Sequence, residues 1–541
     1  MRFDSLKNSS TEQGTAALNR QAPAGARAVS GSWRAPESIA LLALAGAMLL
    51  IRLATLSSYP LMDTSEARYG EIARVMLSTG NLVTPQEVPG TPFWAKPPLY
   101  AWLSVGAMQV LGVNEFALRL PSFFCALGIL ALCFSWSDSL ARWRSITERV
   151  RAALLTLALL TTSVLFFVSS GAVMTDPTLA LCTTWMLAAF HHTAIRGSRV
   201  AFWRWGFFIA AGLGMLAKGP VILLYVGAPI VFWTLWQRRI AGVWRALPWA
   251  MGTLLAAAIC VPWYLLAEQR TPGFLQYFLL GEHVMRFLKP GWGGDLYGTA
   301  HAEPLGMIWA YLAGALGLSA ALVVGAALTA GRAWSRGTRT NTGPNGGSAN
   351  GASNPERSFL LLAALVPLAF FSFAGNVIWT YVLPVLEPLA VLVADVLSPV
   401  LERLPRWRPV VYGTLGAAGL TVALATIAWV PGHVARHSSA ALMAKWHERV
   451  GTSPNQVVYV GRKAPASLRF YSRGAVRNAP DLAAAMPASD PMRDWYLALS
   501  PDRVGEVSRY TAMQPGSWTV ETIGANADLA LIHVHAEAAA P

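Results

Sequence analysis

The chain has 541 residues, of which 54% are hydrophobic and 13% charged, where a soluble domain carries about 25% charge. Mean hydropathy is +0.43, and the apolar residues gather in runs of roughly 17–25, the length a helix needs to cross about 30 Å of hydrocarbon; a single soluble globular domain is excluded. A net charge of +14 in a soluble chain would raise nucleic-acid binding, but here the arginines lie between apolar runs, where membrane topology accounts for them.

Residues 1–35 are polar, rich in Ala, Ser and Arg, and lack a signal-peptide pattern, which predicts a disordered cytoplasmic tail. Apolar runs follow at 38–57, 117–140, 152–171, 176–195, 203–217, 220–236, 247–267, 304–330, 358–375, 379–399 and 409–430, about eleven predicted membrane helices. With the N-terminus inside, alternate connectors should be basic. They hold Arg142, Arg144, Arg149 and Arg151; Arg196, Arg199 and Arg204; Arg238, Arg239 and Arg245; Arg332, Arg336, Arg339 and Arg357; then Arg403, Arg406 and Arg408. The short run 98–113 follows Pro97–Pro98 and is placed at the interface or as a re-entrant piece; counting further short helices raises the number to about thirteen. Residues 331–357 are Gly-, Asn- and Ser-rich and read as a flexible cytoplasmic loop. Cys125, Cys133, Cys182 and Cys260 lie inside apolar runs, and neither a disulfide nor a metal motif is predicted. After Pro431 the composition turns mixed polar. Strand-like QVVYV (456–460) and LALIHV (529–534) alternate with helical stretches near 439–450 and 481–486. The reading is an α-helical polytopic membrane domain over 36–430 and a small α/β domain over 431–541, placed outside the cytoplasm by parity.

Two outer segments are long and polar: 57–115 and about 268–303. In the first, Asp63 and Thr64 can cap a helix, Glu66 stands in capping-box position, and Ile72, Val75 and Met76 follow at helical spacing. A short amphipathic helix on the membrane surface is expected, with Asp63, Glu66 and Arg68 at its start. Lys96, Lys218, Arg270, Arg286 and Lys289 lie on the side where positive charge is normally sparse. A lipid-linked phosphate would account for them; so would pairing with Glu268, Glu282 and Glu303 or with headgroups. Asp176 precedes Pro177 at the start of a span, where a carboxylate complements the helix dipole.

Several segments together carry a family resemblance: DTSEARYGEIARVM (63–76), FWAKPPLYAWL (93–103), NEFALRLPS (114–122), MTDPTLA (174–180), LAKGP (216–220), EHVMRF (282–287) and FAGNVIWTYVLPVLEP (373–388). In this order they resemble bacterial GT-C glycosyltransferases of the aminoarabinose transferase and protein O-mannosyltransferase type. The resemblance implies a GT-C fold in the bacterial inner membrane, with the active site and C-terminal domain facing the periplasm. It implies a sugar taken from a polyprenyl (undecaprenyl) phosphate donor and passed to lipid A or another lipid, glycan or protein acceptor. Carried over by motif, Asp63, Glu66 and Asp176 are the expected catalytic residues. Arg68, Tyr69, Lys96 and Arg286 are the expected phosphate and substrate ligands. Three positions depart from the family pattern: Ser65 precedes Glu66, with Asp63 two positions earlier; Ala95 precedes the loop lysine; and Ile378-Trp379-Thr380 stands where a lysine often precedes Tyr-x-Leu-Pro. These point to a different sugar or acceptor, and Ala95 weakens any zinc site.

No cofactor is called for, a divalent metal finds no supporting motif, and His283 and His301 are expected to satisfy local hydrogen bonds. The leaving phosphate needs cations, assigned to Arg68, Lys96 and Arg286. Asp63 is expected to act as base for a hydroxyl acceptor or to position the acceptor, and Asp176 is expected to orient Lys96 or the sugar. Trp94 and Trp292 are candidates to stack on a sugar ring, with membrane anchoring the role expected first of such aromatics. The rival class is a lipid or sugar transporter or flippase, against which stands the lack of an internal repeat or of paired interrupted helices.

Overall fold

In the computed structural model of the chain, Trp33 and residues 35–63, 65–297, 301–340, 354–450, 456–487 and 494–536 are described. Residues 1–32 and 34 of the expected tail, Thr64 and residues 341–353 of the expected loop lie outside the described residues. All the apolar runs are helical. Those used below are α1 (Pro36–Ala54), α2 (Ser65–Thr79), α3 (Leu99–Leu111), α4 (Glu115–Leu140), α5 (Ile146–Thr162), α6 (Asp176–Phe190), α7 (Ala201–Lys218), α8 (Ala228–Trp236), α9 (Trp249–Arg270), α10 (Ala320–Thr340), α11 (Pro355–Phe371), α12 (Leu383–Arg403) and α13 (Arg408–Leu424). Among the described residues, six helical stretches are long and apolar enough to span a membrane: Pro36–Ala54, Glu115–Leu140, Trp249–Arg270, Met307–Arg332, Trp379–Arg403 and Pro405–Arg436. The other predicted spans are shorter, broken by π turns such as His191–Ile195 and Leu223–Gly227, or less apolar. At 13 residues α3 rises only about 20 Å, too short to cross.

Local chemistry sets the ends. Asn114 caps α4 by accepting from Ala117 N at 2.8 Å, and Ser145 caps α5 by accepting from Glu148 N at 3.2 Å. Two boundaries differ from the sequence reading. The loop expected from 331 begins later, because α10 stays helical to Thr340, and it ends earlier, because Asn354 caps α11 and Pro355 occupies its first turn. Trp33, expected in the tail, packs on Phe134 with ring centroids 5.9 Å apart.

The span of α12 is 83% buried against 28% for α1 and α9, which makes α12 a central helix and leaves α1 and α9 facing outward. Helices α5 and α6 are buried on nearly every face beside it. Glycines permit the closest crossings: a Cβ at Gly252 would fall 2.2 Å from Phe208. At one end of the bundle the connector arginines stitch helices together. Arg151 bridges Glu37 and Glu402 at 2.6 and 2.5 Å, Arg144 and Arg357 both reach Asp395 at 2.6 Å, and Arg196 lies 2.7 Å from Glu356.

The opposite end carries a two-residue-wide hairpin, β1 (Gln86–Val88) with β2 (Thr91–Pro92), and the C-terminal domain. The latter is a five-stranded sheet of order β4-β3-β5-β7-β6, with β3 (Val457–Val460) parallel to β4 (Val476–Ala479) and β5 (Asp494–Leu499), and β7 (Ala530–Ala536) antiparallel to β5 and β6 (Trp518–Ala525). Helix α14 (Ala440–Val450) covers one face through Leu442, Met443 and Trp446. Helix α15 (Ala466–Tyr471) packs Ala466 and Phe470 into the cluster formed by Leu61, Ala67 and Leu118, joining the domain to α2 and α4.

Candidate active site

The start of α2 is fixed by one buried guanidinium. Arg119 of α4 is fully buried and uses all five of its N–H groups. Nε and Nη2 each donate to Glu66 at 2.8 Å, Nη1 to the carbonyls of Leu56 and Tyr59 at 2.7 Å, and Nη2 also to Pro60 at 2.9 Å. Its plane lies over the Tyr59 ring, 4.0 Å from the centroid. Glu66 also accepts from the N–H groups of Val173 and Met62. Both Glu66 oxygens are therefore occupied in holding the connector before α2 onto α4 and the α6 approach. Its expected catalytic role meets a carboxylate already committed to the fold.

Asp63 turns towards the C-terminal domain rather than into the first turn of α2. One oxygen accepts from Ser467 N at 3.0 Å and the other from the Ser467 hydroxyl. Burial pushes its pKa above the usual carboxylate value, against the lowering effect of the Ser467 hydrogen bonds. Asp63 lines a cleft of about 800 Å³ between the first outer segment and the C-terminal domain. Arg68, Tyr297, Lys463, His437 and Asp528 line it too. Its charges are largely paired: Glu87 takes Lys463 at 2.9 Å, Arg469 at 3.5 Å and Arg68 at 3.7 Å, and His437 meets Asp528 at 2.9 Å.

The other expected ligands form a second cavity, about 220 Å³, between the helices. Lys96, Lys218 and Arg286 converge on it, against a wall of Val221, Leu224, Phe287 and Phe370. Glu282 bridges two of the cations, 3.2 Å from Lys96 and 3.0 Å from Arg286. Burial works against the Glu282 charge, but Lys96 and Arg286 hold its carboxyl below the usual range. Burial likewise opposes the charge on Lys96, and Glu282, with Tyr69 and Tyr381, raises its pKa on balance. Asp176 sits 2.5 Å from Lys218, whose ammonium lies 4.8 Å from the Tyr381 ring centroid. The loop carrying Arg286 is pinned by Asn376, whose side chain donates to the carbonyls of Arg286 and Lys289 at 2.5 and 2.8 Å.

The expected constellation is thus divided. Lys96 and Arg286 share a cavity; Asp63 and Arg68 share the cleft. Tyr69 stands between, its ring edge-on to Phe93 at 6.3 Å, and Phe93 in turn 4.5 Å from Tyr297. Asp176 orients Lys218, not Lys96, which belongs to Glu282. Of the alternative partners weighed for the outer cations, Glu282 is used, whereas Glu268 caps the N–H groups of Gly273 and Leu275 and Glu303 accepts from Tyr311. His283 meets the Phe278 carbonyl at 2.7 Å. Trp94 donates to Thr271 at 3.1 Å and packs near Tyr277, as does Trp292. Sequence reasoning counted Lys218 among the outer cations without placing it at the site, and missed Tyr381 and Asn376. The signal for Lys218 was its position at the end of an apolar helix just before Gly219.

Residues 38–278 match the dolichyl-phosphate-mannose-protein mannosyltransferase family. The chain is 30% identical over 361 residues to an undecaprenyl phosphate-α-4-amino-4-deoxy-L-arabinose arabinosyl transferase of Pseudomonas savastanoi pv. phaseolicola, covering 65% of this chain and 60% of the relative. It is 32% identical over 395 residues to the protein of the same name from Aeromonas salmonicida, covering 71% and 65%. The matched part thus spans 60–65% of these relatives' length. The solved structure of ArnT from Cupriavidus metallidurans, bound to undecaprenyl phosphate, superposes with a TM-score of 0.70 over 91% of this chain and 97% of that one, at 19% identity. The helical domain, with the C-terminal sheet domain beside it, therefore adopts the GT-C fold.

Proposed function

We propose that this chain is a membrane glycosyltransferase that takes a sugar from an undecaprenyl phosphate donor and passes it to an acceptor on the outer face of the bacterial inner membrane. The observation that carries the reading is the convergence of Lys96, Lys218 and Arg286 on one cavity with an apolar wall. A phosphate on a long hydrocarbon needs that pairing of surfaces: cations for the head and apolar side chains where the tail begins. The curated relatives are named for an undecaprenyl phosphate-linked aminoarabinose donor, which supports the same donor class here. The phosphate is the leaving group, so the three cations stabilise the charge that develops on it. Tyr69 lies beside Lys96 on the way to the cleft. Asp63, with Arg68, stands at the cleft, where the acceptor enters. Its raised pKa suits a base towards a hydroxyl; a phosphate acceptor needs only orientation. Asp176 pairs with Lys218 at 2.5 Å and aims it. Attack in a single displacement inverts the anomeric centre. The Arg-rich end of the bundle then faces the cytoplasm, and the acceptor is lipid A or another envelope molecule.

The test is binding of undecaprenyl phosphate to the purified protein, with Lys96→Met and Lys218→Met compared against wild type. Each substitution should weaken binding at least tenfold, about 1.4 kcal/mol, and lower release of undecaprenyl phosphate from the aminoarabinose-linked donor. Wild-type binding in both variants would remove the phosphate site.

A further inference from the structure

We propose that Ser467, on the C-terminal domain, is a positioning residue for Asp63, so that this domain completes the reactive edge of the cleft. The inference rests on the role given to Asp63 above. The C-terminal domain is covalently remote from Asp63, yet it supplies the contacts to both oxygens of that carboxylate: the Ser467 N–H to one, at 3.0 Å, and the Ser467 hydroxyl to the other. A hydroxyl has one hydrogen and two lone pairs. The Ser467 oxygen accepts from Ser439 N at 3.1 Å and lies 2.9 Å from the Ser439 hydroxyl. Of the two acceptors that the Ser467 hydroxyl faces, Ser439 Oγ and the Asp63 carboxylate, the carboxylate is charged and the stronger, so it takes the single hydrogen. Ser439 and Ser467 are themselves buried, so water does not compete for these positions.

Two donors fixed on one carboxylate do two things. They lock its rotation, so the face turned to the cleft is always the same, and they favour the ionised form against the burial that disfavours it. The other charges around Asp63 are already committed. Arg68 and Lys463 face Glu87, and Asp528 faces His437, with His433 beside it. Among the described residues, none of these side chains donates to Asp63. The joint has independent support away from Asp63. Tyr471 donates to Glu115 at 2.7 Å and accepts from Leu61 N at 2.7 Å, so the domain stays docked when the Ser467 hydroxyl is removed.

The experiment uses the full-length protein in detergent as wild type, Ser467→Ala, Ser467→Thr and, as a control at the same joint, Tyr471→Phe. The Asp63-containing peptide is followed by mass spectrometry after carbodiimide labelling across pH, which reads protonation without requiring turnover. Ser467→Ala removes a donor to the charged form, so the labelling midpoint should rise by about one pH unit. Ser467→Thr should restore it, and Tyr471→Phe should leave it in place. With the aminoarabinose-linked undecaprenyl phosphate donor, Ser467→Ala should lower kcat about tenfold with KM changed less than twofold. An unmoved midpoint in Ser467→Ala overturns the proposal. A shifted midpoint in a protein that releases no undecaprenyl phosphate leaves the positioning standing and overturns the proposed function instead.

Discussion

Glu66 separates a fold role from a chemical one, and its removal has a calculable cost. In Glu66→Ala, Arg119 keeps its three carbonyl partners but loses two of its five hydrogen bonds and its only carboxylate, while remaining fully buried. Breaking one side of a buried pair costs about 3–5 kcal/mol, because the remaining charge is left uncompensated. The N–H groups of Val173 and Met62 also lose an acceptor. The variant should therefore unfold more readily by about 3 kcal/mol or more. Arg119→Met should be as damaging, since it strands Glu66 and three carbonyls. The double variant Glu66→Met/Arg119→Met should cost less than the two singles added, by about 1–3 kcal/mol of coupling. The assay is unfolding of the purified protein in detergent, by denaturant and by heating, with activity measured on the folded fraction. A Glu66→Ala protein as stable as wild type but without transferase activity would refute the reasoning and return Glu66 to the chemistry.

Asp63→Asn tests linkage. Because burial raises the folded-state pKa of Asp63, the folded form favours the protonated group. That contribution is full at low pH and is lost as pH rises through the raised pKa. Asn at 63 should make the protein at least as stable as wild type at pH 7 and remove this part of the pH dependence, seen as a flatter unfolding midpoint as pH rises above the ordinary carboxylate pKa of about 4, while transferase activity on a hydroxyl acceptor is lost. Gly219 follows Lys218 at φ +82°, and a Cβ there would fall 2.5 Å from the Phe278 ring; Gly219→Ala should cost about 1–3 kcal/mol in unfolding and weaken undecaprenyl phosphate binding by misplacing Lys218. The Tyr297 hydroxyl donates to Pro92 O and accepts from Trp94 N, both at 3.0 Å, holding the strand that leads to Lys96. Tyr297→Phe should raise KM for the donor several-fold with little change in kcat, and an unchanged KM would show that the loop holds its place without it.

What could be read from the sequence follows from what is local. Apolar runs of span length, arginines between them and the polar turn after Pro431 each report on a stretch of a few dozen residues, and all are helical or strand-bearing where expected. The interrupted helices were less legible, because a π turn such as Leu223–Gly227 leaves the apolar composition unchanged while altering the backbone. The site was legible as a set of residues and not as a geometry. Glu66 and Arg119 lie 53 positions apart, Asp176 and Lys218 42, Lys96 and Glu282 186, and Asp63 and Ser467 404. Motif reading put both acids of the first loop into catalysis because they are neighbours in sequence. They point to different elements in the fold: Glu66 to Arg119 in α4, Asp63 to α15.

The division into cavity and cleft constrains the proposed reaction. In a single displacement the nucleophile and the leaving group act on opposite sides of one anomeric carbon. The cations that would receive the leaving phosphate line the helical cavity; the carboxylate that would activate the acceptor lines the cleft. The reacting carbon therefore belongs at the partition between them, where Tyr69, Phe93 and Tyr297 stand in ring contact. That partition is built from the same segments as the phosphate cavity. Phe93 lies three residues before Lys96, and Tyr297 is tied by its hydroxyl to Pro92 and Trp94. On its other side Tyr297 packs against Tyr277, which donates to Glu282 at 3.1 Å. A shift of the aromatic partition to admit a sugar thus draws on the carboxylate that sits between Lys96 and Arg286. In the proposed reaction, donor entry and charge rearrangement at the phosphate would be one motion, with Glu282, which bridges Lys96 and Arg286, giving way to the phosphate.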